Sequence, residues 1–147
     1  MENLHELASF THAGERECNM ARKEMELFDT GVLGEAIPVS AAVKAGDLVF
    51  VGGSIGNVYG KLELVEGGVA AETRQALQHM RAALEAAGSS IDQVIKCNIY
   101  LVDMADFGEL NEEYGKFFGS HRPTRATVAV KELGLGGRVE IECVALA

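Results

Sequence analysis

The nine residues Val94-Ile95-Lys96-Cys97-Asn98-Ile99-Tyr100-Leu101-Val102 decide the architecture. Ile95, Cys97, Ile99 and Leu101 alternate with Val94, Lys96, Asn98, Tyr100 and Val102, the period-two signature of a β-strand. This strand is flanked by two helical patterns. Upstream, Val69, Thr73, Ala76, Leu77, Met80, Ala83, Leu84 and Ala87 form one apolar stripe at helical spacing, and Gly88 stops it. Downstream, Asp103 is a natural N-cap, Phe107, Leu110, Tyr114 and Phe117 are the stripe, and Gly119 ends the helix.

Further out, Val39–Lys44 and Leu48–Gly52 read as strands joined by Ala45-Gly46-Asp47. Residues 53–68 are glycine-rich and read as a loop, with a small hairpin around Tyr59-Gly60. Arg125–Val130 and Arg138–Ala145 read as two last strands, joined by a loop holding Gly134, Gly136 and Gly137. The core order is β-β-α-β-α-β-β. Strands adjacent in sequence at each end suit hairpins, and two helices cover one face of a sheet. The other face is left bare, to be wetted or covered by another subunit. In the last strand Glu140 and Glu142 point opposite to Val139, Ile141 and Cys143. The mixed face is expected to carry Arg125 and Thr127 as well.

Residues 1–35 differ in character. Cys18, Ala21, Met25 and Phe28 follow helical spacing among charged neighbours, and Asp29-Thr30-Gly31 reads as a stop. The expectation is an N-terminal appendage with a short helix over 1–35, then one domain over 36–147.

The chain has 147 residues and 15.7 kDa. That size buries about two-thirds of its surface without disulfides or metal. Apolar residues make up 48% and mean hydropathy is +0.08, which excludes a disordered chain. A net charge of −9 and a pI near 4.9 argue against non-specific nucleic-acid binding. No apolar run approaches the ~20 residues of a membrane span. The start Met1-Glu2-Asn3-Leu4-His5 lacks a signal-peptide pattern. Cys18, Cys97 and Cys143 are odd in number and far apart, which suggests reduced thiols and a cytoplasmic location.

Several chemistries lack their motifs. Gly52-Gly53-Ser54-Ile55-Gly56 follows a strand, but no helix starts after it, so a phosphate-binding reading fails. His5, His12, Glu15 and Cys18 are metal-capable, yet their spacing fits no zinc pattern, and a solvated tail is the better reading. His79 lies beside the helix stripe and reads as a surface residue, and His121 as a polar loop residue. Cys97 and Cys143 alternate with core residues and read as packing thiols. The informative pair is Arg125 and Glu140, which a C-terminal hairpin would bring together. Arginine forks a carboxylate bidentately, and a glutamate nearby can activate water. A cross-strand ion pair is the plainer reading of the same two residues.

From Pro38 to Ala147 the chain resembles the reactive intermediate deaminase, or YjgF-like, family. The carrying segments are Ala45-Gly46-Asp47-Leu48-Val49-Phe50-Val51-Gly52-Gly53, Val65-Glu66-Gly67-Gly68-Val69, Glu72-Thr73-Arg74-Gln75 and Ala86-Ala87-Gly88-Ser89-Ser90. Stronger still are Asp103-Met104-Ala105-Asp106-Phe107, Asn111-Glu112-Glu113-Tyr114-Gly115-Lys116-Phe117-Phe118, Arg122-Pro123-Thr124-Arg125-Ala126-Thr127-Val128 and Val139-Glu140-Ile141-Glu142. Each is weak alone; in this order they are specific.

The resemblance implies an α/β (α+β) chorismate-mutase-like fold: a mixed β-sheet with two helices on one face, in a homotrimer whose sheets form a barrel. It implies sites at the subunit interfaces, where Arg125 grips a substrate carboxylate and Glu140 positions water. Gly53, Ser54, Asn111, Ala126 and Thr127 would bind substrate beside them. The implied activity is hydrolysis of an enamine or imine acid to the keto acid and ammonia, with no metal or cofactor. A non-catalytic ligand-binding or regulatory trimer is the alternative, and a ribonuclease a lesser one that the acidic composition disfavours. The sequence departs from the family pattern at Ile37-Pro38-Val39-Ser40, where Val39 takes the place of a site tyrosine. Thr127 stands where cysteine is frequent. These changes point to a substrate larger than three carbons, such as an aminomuconate.

Overall fold

The computed structural model describes residues 24–147. Its strands are β1 (Met25–Phe28), β2 (Ala42–Ala45), β3 (Leu48–Ile55), β4 (Val94–Leu101), β5 (Thr124–Ala129) and β6 (Val139–Leu146). The helices are α1 (Gly68–Ala86) and α2 (Phe107–Phe118). The six strands form one mixed sheet in the order β1-β2-β3-β6-β4-β5. All pairs are antiparallel except β4 with β5. Parallel neighbours need a crossover connection, and α2 is that crossover.

Both helices lie on one face, as the pattern of residues 69–119 requires. Leu77, Met80 and Leu84 of α1 and Leu110 of α2 are sealed against Val49, Cys97, Ile99, Val139, Ile141 and Ala145 of the sheet. Truncating such a side chain, Leu77→Ala for example, costs about 2–5 kcal/mol because a cavity remains. Gly56 is required where the loop after β3 crosses α1: a β-carbon there would sit 2.4 Å from Glu72 Cα. Asp103 does cap a turn, accepting from the Ala105 amide at 2.8 Å, but the turn is a short 3-10 segment leading into α2. The stripe of α2 ends on Phe118 rather than Phe117. Leu110, Tyr114 and Phe118 follow successive four-residue steps, and Phe117 packs edge-on against Phe118.

Three expectations are corrected. Of the helical stripe expected at Cys18, Ala21, Met25 and Phe28, the first two lie outside the described residues. The last two belong to strand β1, which zips onto β2 with Phe28 opposite Ala42. The second correction concerns the C-terminus. β5 and β6 form no hairpin: β4 lies between them, and the loop between β5 and β6 carries the chain across it. The third concerns faces. Arg125 pairs with Cys97 and Thr127 with Ile99, both sealed beneath the helices, so Arg125 and Thr127 lie on the helix side. Ala126 and Val128 lie on the open side.

The open face is largely apolar at one end. Leu27, Val43, Phe50 and Val144 stand in register across β1, β2, β3 and β6. Met25, Ala45, Leu48 and Leu146 form a second row beside them. Met25, Leu27, Phe50 and Leu146 are all exposed. Further along, Glu142 accepts from Asn98 Nδ2 at 2.8 Å and from the Tyr100 hydroxyl at 3.0 Å. No helix among the described residues is long and apolar enough to cross a membrane.

Candidate active site

Glu140 lies on the open face of β6, opposite Tyr100 of β4 and Ile55 of β3. It stands where β3 is broken by a β-bulge: the register slips between Val51 and Ser54, so Gly52-Gly53 carries the extra residue. The strand thereby swings its backbone against the carboxylate. A β-carbon on Gly53 would sit 1.9 Å from Glu140 Oε1. Only glycine permits this approach. Burial, reinforced by the charge of Glu142, pushes the Glu140 carboxyl above its ordinary 4.5. Glu142 is tied by Asn98 and Tyr100, whereas no hydrogen bond reaches the Glu140 side chain among the described residues. A half-buried carboxylate with a raised pKa and free lone pairs is suited to take a proton from water.

Glu140, Gly53 and Ser54 line a cavity of about 550 Å³. Its outer wall is the segment between β1 and β2, including Val32, Leu33, Ile37 and Val39. That segment is firmly held. Asn57 Nδ2 donates to the Val32 carbonyl at 2.9 Å and the Lys61 carbonyl at 3.0 Å, and the Gly60 amide donates to Val32 at 3.0 Å. The Tyr59 hydroxyl donates to the Thr30 carbonyl. His79 also lines the cavity and is buried, not on the surface as its place beside the stripe implies. Its Nε2 lies 2.8 Å from the Asn57 carbonyl, and burial pushes its pKa below 6.5. The tight turn 134–136 completes the lining through Leu135, whose φ of 59° is left-handed. A non-glycine residue pays about 1–2 kcal/mol for that conformation.

Arg125 is elsewhere. It sits on edge strand β5, on the helix side, two strands from β6 and three residues out of register with Glu140. Strand spacing and rise put the two Cα atoms about 14 Å apart, on opposite faces. The pairing expected from a hairpin therefore does not occur within one chain. Arg125 is nonetheless well prepared. Its guanidinium stacks over Tyr114 at 4.7 Å and Phe107 at 5.3 Å, and its Nη2 donates to Asn111 Oδ1 at 2.9 Å. Thr127 lies beside it with a buried Oγ1 that has no partner among the described residues. Ala126 faces the other side, next to Asn98. The candidate residues thus fall into two groups: Gly53, Ser54 and Glu140 at the cavity, and Arg125, Asn111 and Thr127 at the edge. Sequence patterning cast Tyr114 and Phe107 as core residues only, since a helical stripe does not show which rings an arginine will cover.

Cys97 and Cys143 stand directly opposite each other on β4 and β6, both buried with thiols pushed above their ordinary range by burial. They are packing thiols. Among the described residues no three His, Cys, Asp or Glu side chains converge as a metal site.

The family model described as Endoribonuclease L-PSP matches residues 33–147. The chain belongs to that family. Members of the endoribonuclease L-PSP family similar to it include the RutC family protein PH0854 of Pyrococcus horikoshii. It is 43% identical over 108 residues, covering 74% of this chain and 86% of the relative. The human 2-iminobutanoate/2-iminopropanoate deaminase is 41% identical over 109 residues, covering 74% and 80%. Among solved structures, E. coli TdcF with bound serine superposes with a TM-score of 0.75 at 32% identity, covering 83% of this chain and 98% of TdcF. The resemblance read from the motifs and the mixed α+β fold both hold.

Proposed function

We propose that the protein is an imine or enamine deaminase, hydrolysing a 2-imino or enamine carboxylic acid to the 2-oxo acid and ammonia. The observation that carries this reading is Glu140: a half-buried carboxylate of raised pKa, free of hydrogen bonds from the described residues, in contact with Gly53 at the rim of a cavity. The relative named for 2-iminobutanoate and 2-iminopropanoate, and the neighbour holding serine, support a small amino-acid-like ligand.

The chemistry follows from the residue types. Arg125, stacked and tied to Asn111, offers its remaining N–H groups to the substrate carboxylate, each charge-assisted bond contributing roughly 1.5–3 kcal/mol. Water adds its oxygen to the C=N carbon while Glu140 accepts its proton. The substrate reacts as the protonated imine, so the C=N π pair moves onto nitrogen as a lone pair and a neutral carbinolamine forms. Glu140 returns its proton to nitrogen, the C–N bond breaks, ammonia leaves, and loss of the hydroxyl proton gives the ketone. The residues balance this sequence without a redox step.

Because Arg125 and Glu140 cannot meet in one chain, the working site combines Arg125 of one copy with Glu140 of the next. The two apolar rows on the open face give a self-complementary reason for assembly, in a closed trimer of about 47 kDa, three times the 15.7 kDa chain. The net charge of −9 weighs against a ribonuclease. The test is complementation. Arg125→Ala and Glu140→Gln chains are each expected to be inactive. Unfolded and refolded together in equal amounts, they should regain about a quarter of the wild-type sites, those pairing intact Arg125 with intact Glu140. Inactive single variants whose mixture stays inactive would overturn the shared site, active single variants the roles given to Arg125 and Glu140, and a native chain that releases no ammonia from 2-imino acids the deaminase assignment.

A further inference from the structure

We propose that the cavity beside Glu140 is a side-chain subsite, with Leu135 as its specificity-determining residue, and that the preferred substrate is a 2-imino monocarboxylate bearing a branched or aromatic apolar side chain. This rests on the deaminase reading and specifies its substrate. The cavity opens at Glu140, and its volume of about 550 Å³ falls in the range of about 300–1,000 Å³ typical of sites enclosing sizeable ligands. A three-carbon imino acid leaves most of it empty. The walls are Val32, Leu33, Ile37, Val39, Leu62 and Leu135. The charged residues among the described lining are Asp29 and Glu140, both acidic. A second carboxylate, as in an aminomuconate, meets two like charges there and no lysine or arginine among the described residues.

Leu135 is the unusual member. It occupies a left-handed position, φ 59° and ψ 10°, between Gly134 and Gly136 in a turn closed by the Gly137 amide donating to the Gly134 carbonyl at 3.0 Å. Glycine adopts that conformation freely, so a leucine there carries strain that its backbone role does not require. Leu135 is 41% exposed while lining the cavity. An apolar group entering the cavity covers it.

The test compares kcat/KM for imines generated in place from alanine, leucine and phenylalanine by an amino-acid oxidase. Affinities for pyruvate and 4-methyl-2-oxopentanoate, the corresponding product acids, are measured in parallel by calorimetry on the full chain. The leucine-derived imine is expected to exceed the alanine-derived one by at least about tenfold, the lower end of what one methylene contributes in an apolar pocket. Leu135→Gly, which keeps the turn unstrained, should cut that ratio about tenfold. Leu135→Lys, which keeps the strain and loses the apolar wall, should do the same, with melting curves confirming the fold. A preference for the alanine-derived imine, or a ratio unmoved by both variants, overturns the subsite. If no imine is turned over, the deaminase reading fails, and the product-acid affinities decide alone. A Leu135-dependent preference for 4-methyl-2-oxopentanoate sustains the subsite, and equal affinities overturn it.

Discussion

Gly53 and Glu140 are in direct contact: the place a side chain would occupy at residue 53 is filled by the Glu140 carboxylate, 1.9 Å from where a β-carbon would stand. The bulge at Gly52-Gly53 sets this contact. Gly53 has no left-handed φ, so alanine suits its backbone and the collision falls on the end of a flexible side chain. Gly53→Ala is therefore expected to leave the melting temperature nearly unchanged. It should lower kcat about 10–100-fold by displacing the carboxylate roughly an ångström. Thermal melts and turnover on the same preparation check this; unaltered kcat would show that the position of Glu140 is unimportant.

Glu140→Gln separates activity from stability. Loss of the proposed base should lower turnover by about 10²–10⁴-fold while product-acid binding persists. The folded-state pKa of Glu140 is raised above 4.5, so folding favours the protonated form. That contribution is fully present below 4.5 and lost as pH rises through the folded value. Glu140→Gln, which does not ionise, should thus match the native chain at pH 4 and be the more stable of the two near neutrality. Denaturant midpoints at pH 4 and pH 8 give the comparison, and a native chain as stable as the variant at pH 8 contradicts it.

Arg125 is held by two rings and an amide, an arrangement that needs a planar cation. Arg125→Lys should be nearly as damaging as Arg125→Ala, because an ammonium neither stacks over Tyr114 and Phe107 nor forks a carboxylate. Asn111→Ala frees the guanidinium and should raise KM more than it lowers kcat. Steady-state constants for the three variants suffice, and a fully active Arg125→Lys enzyme would assign the arginine a structural role.

The apolar rows of the open face make a prediction of their own. Phe50 is 45% exposed at the centre of one row, between Val43 and Val144. Phe50→Lys places a charge where the proposed assembly buries a ring, with no cost to the isolated chain. Light scattering should show smaller species, and activity should fall with them, since each site as proposed needs two copies. A monomeric native chain would remove the basis for the shared site.

Periodicity made β4, α1 and the start of β6 legible almost to the residue, because alternation and helical stripes are imposed by burial. It could not supply partners. The glycine loop between β5 and β6 looks like a hairpin, yet the crossover through α2 lays β5 beside β4, and nothing in the alternation of Arg125, Thr127 and Ala129 encodes that choice. The same gap put Arg125 on the wrong face: its polarity suggests an open side, but the rings of Tyr114 and Phe107 receive it under the helices. The bulge at Gly53 and the left-handed Leu135 are likewise set by neighbours distant in sequence. Glu140 was legible in motif and in face, since Val139, Ile141 and Cys143 fix the parity of β6.

His79 gives a final prediction, on stability against pH. It is 6% exposed, with Nε2 against the Asn57 carbonyl and Gln75 Nε2 3.2 Å away. Burial lowers its folded-state pKa below the ordinary 6.5 more than the Asn57 contact raises it. The unfolded chain therefore binds the proton more readily. Its contribution is present above pH 6.5 and is lost as pH falls below that value through the folded one. Since His79 and Asn57 hold the segment that walls the cavity, acidification should loosen that wall as well. The native chain is expected to lose melting temperature between pH 7 and pH 5, and His79→Gln, which keeps a hydrogen-bonding amide but no titratable ring, should lose less over the same interval. Parallel melts of the two proteins measure the difference. Equal slopes would mean that the acid sensitivity arises from other groups.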